Sequence, residues 1–253
     1  MPDASSLKGK VVWITGGGSG IGLAGGLELA RSGVHVVISG RSHETLAAAE
    51  KAIKTVGSCE AIALDVGNKQ AVAKAAERIG RVDILVNSAG INDPKRNFFN
   101  VSTEAWDRIV AINLSGMFYC VHAVLPGMRS RKEGLIINVS SWAGRHPSTL
   151  TGPAYNATKH AVVALTESIN MEEGLHGIRA TAVLPGEVAT PILEKRPVPP
   201  TPEVRAKMLQ AEDLGRTIAF VASLPARACI NEVIISPTHN RFYFGGLESP
   251  PKQ

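Results

Sequence analysis

Short apolar runs alternate with longer runs of mixed polarity along almost the whole chain. Seven short runs rich in Val and Ile are typical of buried strands. They span residues 11–15, 34–39, 61–64, 84–87, 135–139, 179–184 and 232–235. Between them, Ala, Leu and charged residues recur at the spacing of helices over residues 20–31, 43–55, 69–78, 103–129, 154–175 and 211–224.

This alternation predicts an α/β fold, in which helices cover both faces of a parallel sheet. We expect a single doubly wound Rossmann-type domain whose seven-stranded parallel sheet has the order 3-2-1-4-5-6-7. In such a sheet, ligands bind at the carboxyl ends of the strands, near the point where the strand order reverses. The chain has 253 residues without a long linker or repeat. Residues 7–240 are therefore expected to form one domain, with residues 1–6 and 245–253 as flexible ends.

The net charge of +5 raises the question of a nucleic-acid partner. The basic residues are spread out, however, and the one cluster, residues 129–132, follows a predicted helix, where cations complement the helix dipole. Aromatic residues that could stack on bases make up only 5% of the chain. We expect no nucleic-acid partner, and the positive bias suits a phosphorylated cofactor or an anionic substrate.

The apolar runs and the cysteines indicate a cytoplasmic protein. The longest apolar runs are shorter than the roughly 18 residues that span a bilayer, and the first residues lack the apolar core of a signal peptide. Cys59, Cys120 and Cys229 are an odd, scattered set without the spacing of metal ligands. We interpret them as buried thiols in a reducing compartment, and we expect neither a membrane partner nor a bound metal.

A glycine-rich turn joins the first predicted strand to the first predicted helix. Glycines let the backbone turn tightly and approach a diphosphate, and the helix N-terminus adds free N–H groups and a positive dipole end. The pattern therefore predicts a nucleotide site, formed by Thr15, Gly16, Gly18, Ser19, Gly20, Ile21 and Gly22.

A tyrosine and a lysine lie four residues apart in the predicted helix 154–175. Tyr155 and Lys159 would therefore lie one turn apart on the same helix face. An ammonium favours the phenolate form, so we expect the pKa of Tyr155 to fall from about 10 toward neutrality, where the phenol can act as an acid or base.

Together with four further motifs, the glycine turn and the Tyr-Lys pair resemble the short-chain dehydrogenase/reductase family. Three of the four follow predicted strands, as family motifs do, and one lies in the long fourth helix. The four motifs are Asn87-Ser-Ala-Gly90, Asn113, Ser140-Ser141 and Pro185-Gly-Glu-Val-Ala-Thr190. In the first of them, Ser88 stands where the family has Asn. The resemblance covers residues 10–235 and implies an oxidoreductase with a nicotinamide cofactor.

The resemblance implies a role for each catalytic residue. In the reducing direction, Tyr155 would donate a proton to the carbonyl oxygen, and Lys159 would lower the pKa of Tyr155 and bind the nicotinamide ribose. Ser141 would hold the carbonyl oxygen, and Asn113, at a helix irregularity, would bind a water that links Lys159 to solvent. We favour Ser141 over Ser140 because it directly precedes two variable residues and a glycine, and because Ser140 should point to the opposite face of the strand.

The end of the second strand predicts which cofactor is used. An acidic residue that binds the adenosine ribose is expected there, but Gly40 occupies its place. Arg41 adds a planar donor fork and Ser42 a hydroxyl at a helix start, which together suit a 2′-phosphate. We interpret Glu44 as a partner of the helix dipole. These residues favour NADP (NADPH) over NAD.

Further cofactor contacts are implied by the family resemblance. Asp65, at the end of the third strand, resembles the aspartate that contacts adenine, although it could instead cap the next turn. The remaining implied contacts are Val66, Asn87, Ala89, Gly90, Tyr155, Lys159, Pro185, Gly186, Val188 and Thr190.

The substrate is less narrowly defined by the sequence. The proline-rich segment 190–202 is short for a family lid, which favours a small or medium substrate. Arg96, Arg145 and His146 lie on loops near the expected pocket mouth, and one of them could attract an anionic substrate such as a hydroxy acid. Alternatively, all three are surface or interface charges. The C-terminal residues 232–241 resemble the endings of reductases that act on small hydroxy acids or aldehydes.

The leading functional prediction is an NADP-dependent oxidoreductase that interconverts an alcohol and its aldehyde or ketone. The alternatives are a 3-ketoacyl-thioester reductase of lipid metabolism and, more remotely, a non-catalytic NADP sensor. The family resemblance also implies a homodimer or homotetramer paired through the fourth and fifth predicted helices, and a small-molecule carbonyl or alcohol substrate.

Overall fold

Seven parallel strands form one sheet in the order β3-β2-β1-β4-β5-β6-β7, which confirms the predicted fold. The computed structural model describes residues 7–244, so the predicted flexible ends, residues 1–6 and 245–253, lie outside the described residues. The strands are β1 Val11–Thr15, β2 His35–Gly40, β3 Ser58–Ala63, β4 Ile84–Asn87, β5 Gly134–Val139, β6 Ile178–Pro185 and β7 Glu232–Ile235.

The edge strand β3 begins three residues before its predicted start and ends before Leu64. Its first residues, Ser58 to Glu60, pair in parallel with His35 to Val37 of β2. Ser58 and Ala63 are exposed whereas Cys59 and Ile62 are buried, because an edge strand is only partly covered. Hydrophobicity alone therefore missed the polar part of this strand.

The helices are α1 Gly20–Arg31, α2 His43–Lys54, α3 Lys69–Ile79, α4 Thr103–Val110, α5 Gly116–Arg131, α6 Pro153–Glu173, α7 Pro202–Ala206 and α8 Ala211–Ala222. Successive β1 residues serve opposite faces of the sheet, as the pleat requires. Val12 and Ile14 join the core under α1, α2 and α8, whereas Trp13 joins the core under α3 and α5. Complete burial of a side chain such as Ile14 contributes roughly 1.5–3 kcal/mol to stability.

A π-helical turn, Ala111–Ser115, separates α4 from α5 within the predicted helix 103–129. By length and composition, the helical stretch Thr103–Arg131 is apolar enough to cross a membrane. Within this domain it instead packs on the sheet and on α3, with Cys120 and Val124 in the core. We therefore interpret it as a core helix of the α/β fold.

The cysteines are only partly as predicted. Cys59 and Cys120 are buried, but Cys229 is exposed, so the prediction is wrong for this thiol. Cys229 lies in the loop between α8 and β7, beyond the helices that cover the sheet, where its thiol donates to the Ala180 carbonyl over 3.4 Å. Among residues 7–244, no group of His, Cys, Asp and Glu is arranged to hold a metal ion.

Candidate active site

A cavity of about 280 Å³ lies at the carboxyl ends of the central strands. It joins the glycine turn after β1, the segments after β4, β5 and β6, and the start of α6 in one continuous space. The predicted site residues that border it are Gly16, Ser19, Gly20, Ile21, Ala89, Gly90, Ser141, Tyr155, Lys159, Pro185, Gly186, Val188 and Thr190. The structure thus brings most of the predicted cofactor and catalytic residues to one place.

Helix α6 holds Tyr155 and Lys159 on the face that borders this cavity. The Lys159 ammonium donates a hydrogen bond to the Val139 carbonyl at the end of β5 over 2.8 Å. It also lies 5.5 Å from the centroid of the Tyr155 ring. Because burial disfavours the charged form, the pKa of Lys159 is lowered from 10.5 to about 8.

The pKa of Tyr155 is raised, which contradicts the predicted fall toward neutrality. Burial of the phenol is the largest cause, and it outweighs the opposing effects of the hydrogen bond with Ser141 and of the charges on Arg196 and Arg96. Lys159 lies over the face of the phenol ring, and its ammonium is not among the groups that lower the pKa of Tyr155 in this arrangement. The sequence indicated the neighbour correctly but not the cost of burial.

The two serines after β5 have different surroundings. Ser141 is partly exposed at the cavity, lies close enough to Tyr155 to act on the pKa of the phenol, and accepts a hydrogen bond from the Ala143 N–H over 3.2 Å. Ser140 is buried, and its hydroxyl donates to the Lys159 carbonyl over 2.8 Å. Only the Ser141 hydroxyl therefore lies beside the Tyr155 hydroxyl, whereas Ser140 fixes the loop to the α6 backbone.

Asn113 lies in the π-helical turn, so a helix irregularity is present where the sequence predicted one. Its side chain is fully buried and makes two hydrogen bonds to the backbone of Ile91. The amide oxygen accepts from the Ile91 N–H over 2.8 Å, and the amide nitrogen donates to the Ile91 carbonyl over 3.0 Å. A Cβ atom placed on Gly90 would lie 3.7 Å from both the Asn113 carbonyl oxygen and the Lys159 ammonium. Asn113 and Lys159 therefore flank the same glycine.

The glycine turn has the geometry of an anion site. Gly16 has a φ of +67°, and a Cβ there would lie 2.8 Å from the Ala89 backbone. The Thr15 hydroxyl stabilises this approach of the glycine turn to Ala89 by accepting a hydrogen bond from the Ala89 N–H over 3.3 Å. Ser19, the N-cap of α1, makes no side-chain capping bond, and the first turn holds no acidic residue. The first N–H groups of α1 are thus available to a phosphate.

The residues predicted to bind a 2′-phosphate lie beside this turn. Arg41 is exposed just beyond β2, and Ser42 caps α2 by accepting a hydrogen bond from the Thr45 N–H over 3.2 Å. A Cβ on Gly18 would lie 2.9 Å from the Thr45 hydroxyl oxygen, so the glycine turn and the start of α2 touch. A Cβ on Gly40 would meet only Leu46, at ordinary contact distances from 3.6 Å. The position therefore has room for a side chain but carries no carboxylate.

Three predicted cofactor residues outside the glycine turn and the 2′-phosphate site do not border the cavity. Asp65 lies two residues beyond the end of β3 and accepts a hydrogen bond from the Gly67 N–H over 2.9 Å, so it caps the turn as the alternative interpretation held. Val66 is buried against Gly116. The Asn87 amide is also buried and donates to the Asn138 side chain over 3.0 Å.

The loop residues considered for substrate binding separate into two groups. Arg145 is exposed, does not border the cavity, and pairs with Glu167 and Glu232 at 2.8 Å each, which supports the interpretation as a surface charge. Arg96 and His146 do border the cavity. Trp142, Glu187, Arg196 and Phe242, which were not predicted from the sequence, also border it. Glu187 and Arg196 had a sequence signal, because they lie in the Pro-Gly motif and in the predicted lid segment 190–202.

The segment after β6 covers the cavity, as expected of a lid. A 3₁₀ helix, Pro191–Lys195, follows Thr190 directly, and its Leu193 side chain is buried. Pro191, Ile192 and Leu193 border the cavity. A Cβ on Gly20 would lie 3.2 Å from the Thr190 methyl group, so the start of the lid touches the glycine turn.

The backbone conformation immediately before α6 requires glycine at position 152. It has a φ of +77° and a ψ of 164°, a combination that is open essentially only to glycine, and a Cβ there would overlap the Arg96 carbonyl. Gly152→Ala is therefore expected to lower the free energy of unfolding, measured by urea denaturation, by at least about 1 kcal/mol more than Gly80→Ala.

Gly80 is the matched control because it also has a positive φ, of +71°, but a Cβ there would meet nothing within 4 Å. Equal destabilisation by the two substitutions would mean that backbone strain alone, and not the close approach to Arg96, makes glycine necessary at position 152.

Comparison with known proteins agrees with this geometry. Residues 10–199 match the sequence profile of the short chain dehydrogenase family. An uncharacterised oxidoreductase of Staphylococcus haemolyticus is 32% identical over 237 residues, which cover 92% of this chain and 99% of that protein.

Two solved structures share the fold over nearly the whole chain. The closed form of serine dehydrogenase complexed with NADP⁺ has a TM-score of 0.80 at 28% identity, and the alignment covers 90% of this chain and 94% of that one. A 3-ketoacyl-(acyl-carrier-protein) reductase from Brucella melitensis, complexed with NADH, has a TM-score of 0.83 at 31% identity and covers 91% and 98%. On the profile match and the shared fold, this chain belongs to the short-chain dehydrogenase/reductase family of oxidoreductases.

Proposed function

We propose that the protein is an NADP(H)-dependent oxidoreductase that interconverts a small or medium alcohol and its aldehyde or ketone. The observation that carries this proposal is the common cavity, which is bordered both by the Ser141 and Tyr155 side chains and by the uncapped start of α1. A proton donor for an oxygen atom and a site for a phosphate are thus within one space. Such a pairing suits hydride transfer with a dinucleotide.

Each catalytic side chain has a distinct role in the proposed reaction. A bound nicotinamide cofactor would supply the hydride for reduction or accept it in oxidation. Tyr155 gives its phenolic proton to the carbonyl oxygen as that oxygen gains charge, and takes the proton back in the reverse direction. The Ser141 hydroxyl orients and stabilises the same oxygen. Lys159 would bind the nicotinamide ribose and return a proton to Tyr155, and Asn113 would hold a water on the proton's path to solvent.

The donors around the cavity fit a phosphorylated dinucleotide. The diphosphate would be bound by backbone N–H groups of Gly18, Ser19, Gly20 and Ile21, where the dipole of α1 favours negative charge. Arg41 and Ser42 would bind the 2′-phosphate. With no carboxylate at position 40, nothing repels that phosphate. Both NADP⁺ and NADH accompany family members of known structure, so the end of β2 has to decide the preference in this chain.

Reduction of a 3-ketoacyl thioester is the second candidate. It is favoured by the similarity to the Brucella melitensis 3-ketoacyl-(acyl-carrier-protein) reductase, with its TM-score of 0.83. The cavity of about 280 Å³, bordered by Trp142 and Phe242 with stacked ring centroids 6.1 Å apart, fits a small substrate better than a long acyl group. A sensor without catalysis is disfavoured because Asn113, Ser141, Tyr155 and Lys159 are all retained.

We further propose a homodimer or homotetramer formed through the α4–α5 and α6 surfaces. Trp106 and Phe118 are 39% and 48% exposed on the first surface, and Met171 is 75% exposed on α6. Large apolar side chains in this position are typical of protein–protein contact surfaces.

NADPH is expected to bind the purified protein more tightly than NADH in titrations that follow nicotinamide fluorescence. Arg41→Ala should raise the Kd for NADPH by roughly 10- to 100-fold, because a charged hydrogen bond to phosphate contributes about 1.5–3 kcal/mol. The Kd for NADH should change little, since NADH lacks the 2′-phosphate.

Arg216→Ala is the matched control, because Arg216 is an exposed arginine on α8, away from the cavity, and pairs loosely with Asp213 at 3.8 Å. Its Kd values should match those of the wild type. If NADH binds as tightly as NADPH, or if Arg41→Ala weakens both cofactors equally, the assignment of NADP is wrong.

A further inference from the structure

Two arginine side chains border the cavity from opposite loops. Arg96 comes from the loop after β4 and is only 6% exposed. Its guanidinium donates hydrogen bonds to the carbonyls of Asp93, over 2.7 Å, Lys195, over 2.6 Å, and Leu150, over 3.3 Å. These bonds hold the side chain in place, but carbonyl groups do not neutralise its charge. Within the part of the chain that the structure describes, no carboxylate lies within 4 Å of Arg96.

Arg196 extends from the end of the lid helix Pro191–Lys195, and its side chain is 12% exposed. It pairs with Glu187 at 2.8 Å. Glu187, which is 7% exposed, is at the same time bound by Arg241 through two hydrogen bonds of 2.7 Å. The Glu187 carboxylate is therefore shared between Arg196 and Arg241, so it does not fully neutralise the charge of Arg196.

The positive charges of Arg96 and Arg196 both act on Tyr155, the proposed proton donor. The charges of Arg196 and Arg96 each act to lower the pKa of Tyr155, so both groups are near the phenol. Burial is the largest cause that lowers the pKa of Arg96, and the like charge of Arg196 lowers it further, while the Asp93 carboxylate acts in the opposite direction. Two buried cations on one cavity wall are costly unless an anion joins them.

We propose that the substrate carries a carboxylate close to its alcohol or carbonyl carbon, and that Arg196 binds this carboxylate while Arg96 supplies additional buried positive charge. This inference rests on the proposed function and identifies its substrate class as small hydroxy acids and the corresponding oxo acids. A carboxylate suits the wall because its two oxygens match the few guanidinium N–H groups that the bonds to carbonyls and to Glu187 leave available. The carboxylate would offset part of the positive charge of both cations while the hydroxyl or carbonyl oxygen of the substrate faces Tyr155.

The test uses pairs of compounds that differ only in the carboxylate. Three hydroxy acids, 3-hydroxypropanoate, 3-hydroxybutanoate and lactate, are compared with propane-1,3-diol, butane-1,3-diol and propane-1,2-diol, with NADP⁺ as oxidant. The wild type should have a higher kcat/KM for an acid than for its diol. Arg196→Gln should raise the KM of the preferred acid by roughly 10- to 100-fold, as expected for loss of a charged hydrogen bond, and change the KM of its diol less than about 2-fold.

Arg196→Gln is chosen because the Glu187–Arg241 pair survives, so the lid should remain folded. A second measurement does not depend on turnover. The preferred hydroxy acid is titrated into the protein with NADPH bound, a complex that cannot react, and nicotinamide fluorescence reports binding. The Kd for the acid should rise by the same factor as KM in the Arg196→Gln variant.

Arg145→Gln is the matched control, since it also removes one guanidinium, from a surface ion pair with Glu167 and Glu232 outside the cavity. It should leave both series unchanged. The carboxylate assignment is overturned if diols are preferred to acids, or if Arg196→Gln impairs acids and diols equally, as a purely structural role in the lid would require. Failure of NADP⁺ and NAD⁺ alike to oxidise either series would instead count against the proposed function itself.

Discussion

Tyr155→Phe is expected to lower kcat by roughly 10²–10⁴-fold, the usual contribution of a positioned general acid or base. The substitution removes one oxygen atom, and with it the proton that the reaction needs at the carbonyl oxygen. The ring that packs beneath the Lys159 ammonium stays in place. The Kd for NADPH, measured by nicotinamide fluorescence, should therefore change much less than kcat, which is measured with the preferred substrate at saturation.

Tyr119→Phe removes the same oxygen from a tyrosine on α5, where the ring packs edge-on against Phe118 with centroids 6.2 Å apart. Its kcat should equal that of the wild type. A Tyr155→Phe variant that keeps even a tenth of the wild-type kcat would exclude Tyr155 as the proton donor. The Ser141 hydroxyl, which borders the same cavity, would then be the next candidate.

The raised pKa of Tyr155 restricts how this acid can work. A phenol that stays protonated at neutral pH is ready to donate in the direction of carbonyl reduction. For alcohol oxidation it must first lose its proton, and burial opposes that loss more than Ser141, Arg196 and Arg96 favour it. We therefore expect reduction to proceed at neutral pH and oxidation to become faster as the pH rises.

Much of the fold could be predicted from the sequence because its signals are local. Each inner strand contains a short apolar run, and the long helices carry an apolar face, so the elements could be located, and the strand order expected for them was confirmed. The exceptions lacked such a signal. The lid helix Pro191–Lys195 and α7 are short and lie in a proline-rich segment, and the first residues of β3 are polar because that strand forms the sheet edge.

The candidate site likewise contains residues that could be predicted from local motifs and residues that only the fold brings together. Tyr155, Lys159 and the glycine turn could be predicted because residues close in sequence form each motif. The Glu187–Arg196–Arg241 cluster could not, because Glu187 and Arg241 are 54 positions apart and only the fold brings them together. Asn87 marks the limit of motif matching: its position fits the family, yet its amide lies in the interior beside Asn138.

Lys159→Met is expected to lower kcat by at least roughly 10²-fold, because it removes the group that returns protons to Tyr155.

The same variant should also differ from the wild type in how its free energy of unfolding depends on pH. The pKa of Lys159 is about 8 in the folded protein, against the usual 10.5 of a lysine in the unfolded chain. Between these values the unfolded state binds more protons, so the free energy of unfolding rises with pH. Below pH 8 both states are protonated, and this contribution to the slope disappears.

For the cofactor-free wild type, Lys159 should therefore add about 2 kcal/mol to the free energy of unfolding between pH 7.5 and 9.5. Urea denaturation of the wild type and Lys159→Met at both pH values isolates this gain, because all other titrating groups cancel in the difference. Lys74→Met, which replaces an exposed lysine on α3, should keep the wild-type slope. If Lys159→Met also keeps it, Lys159 is charged and well solvated in the folded protein, and the ammonium can favour the Tyr155 phenolate as the sequence suggested.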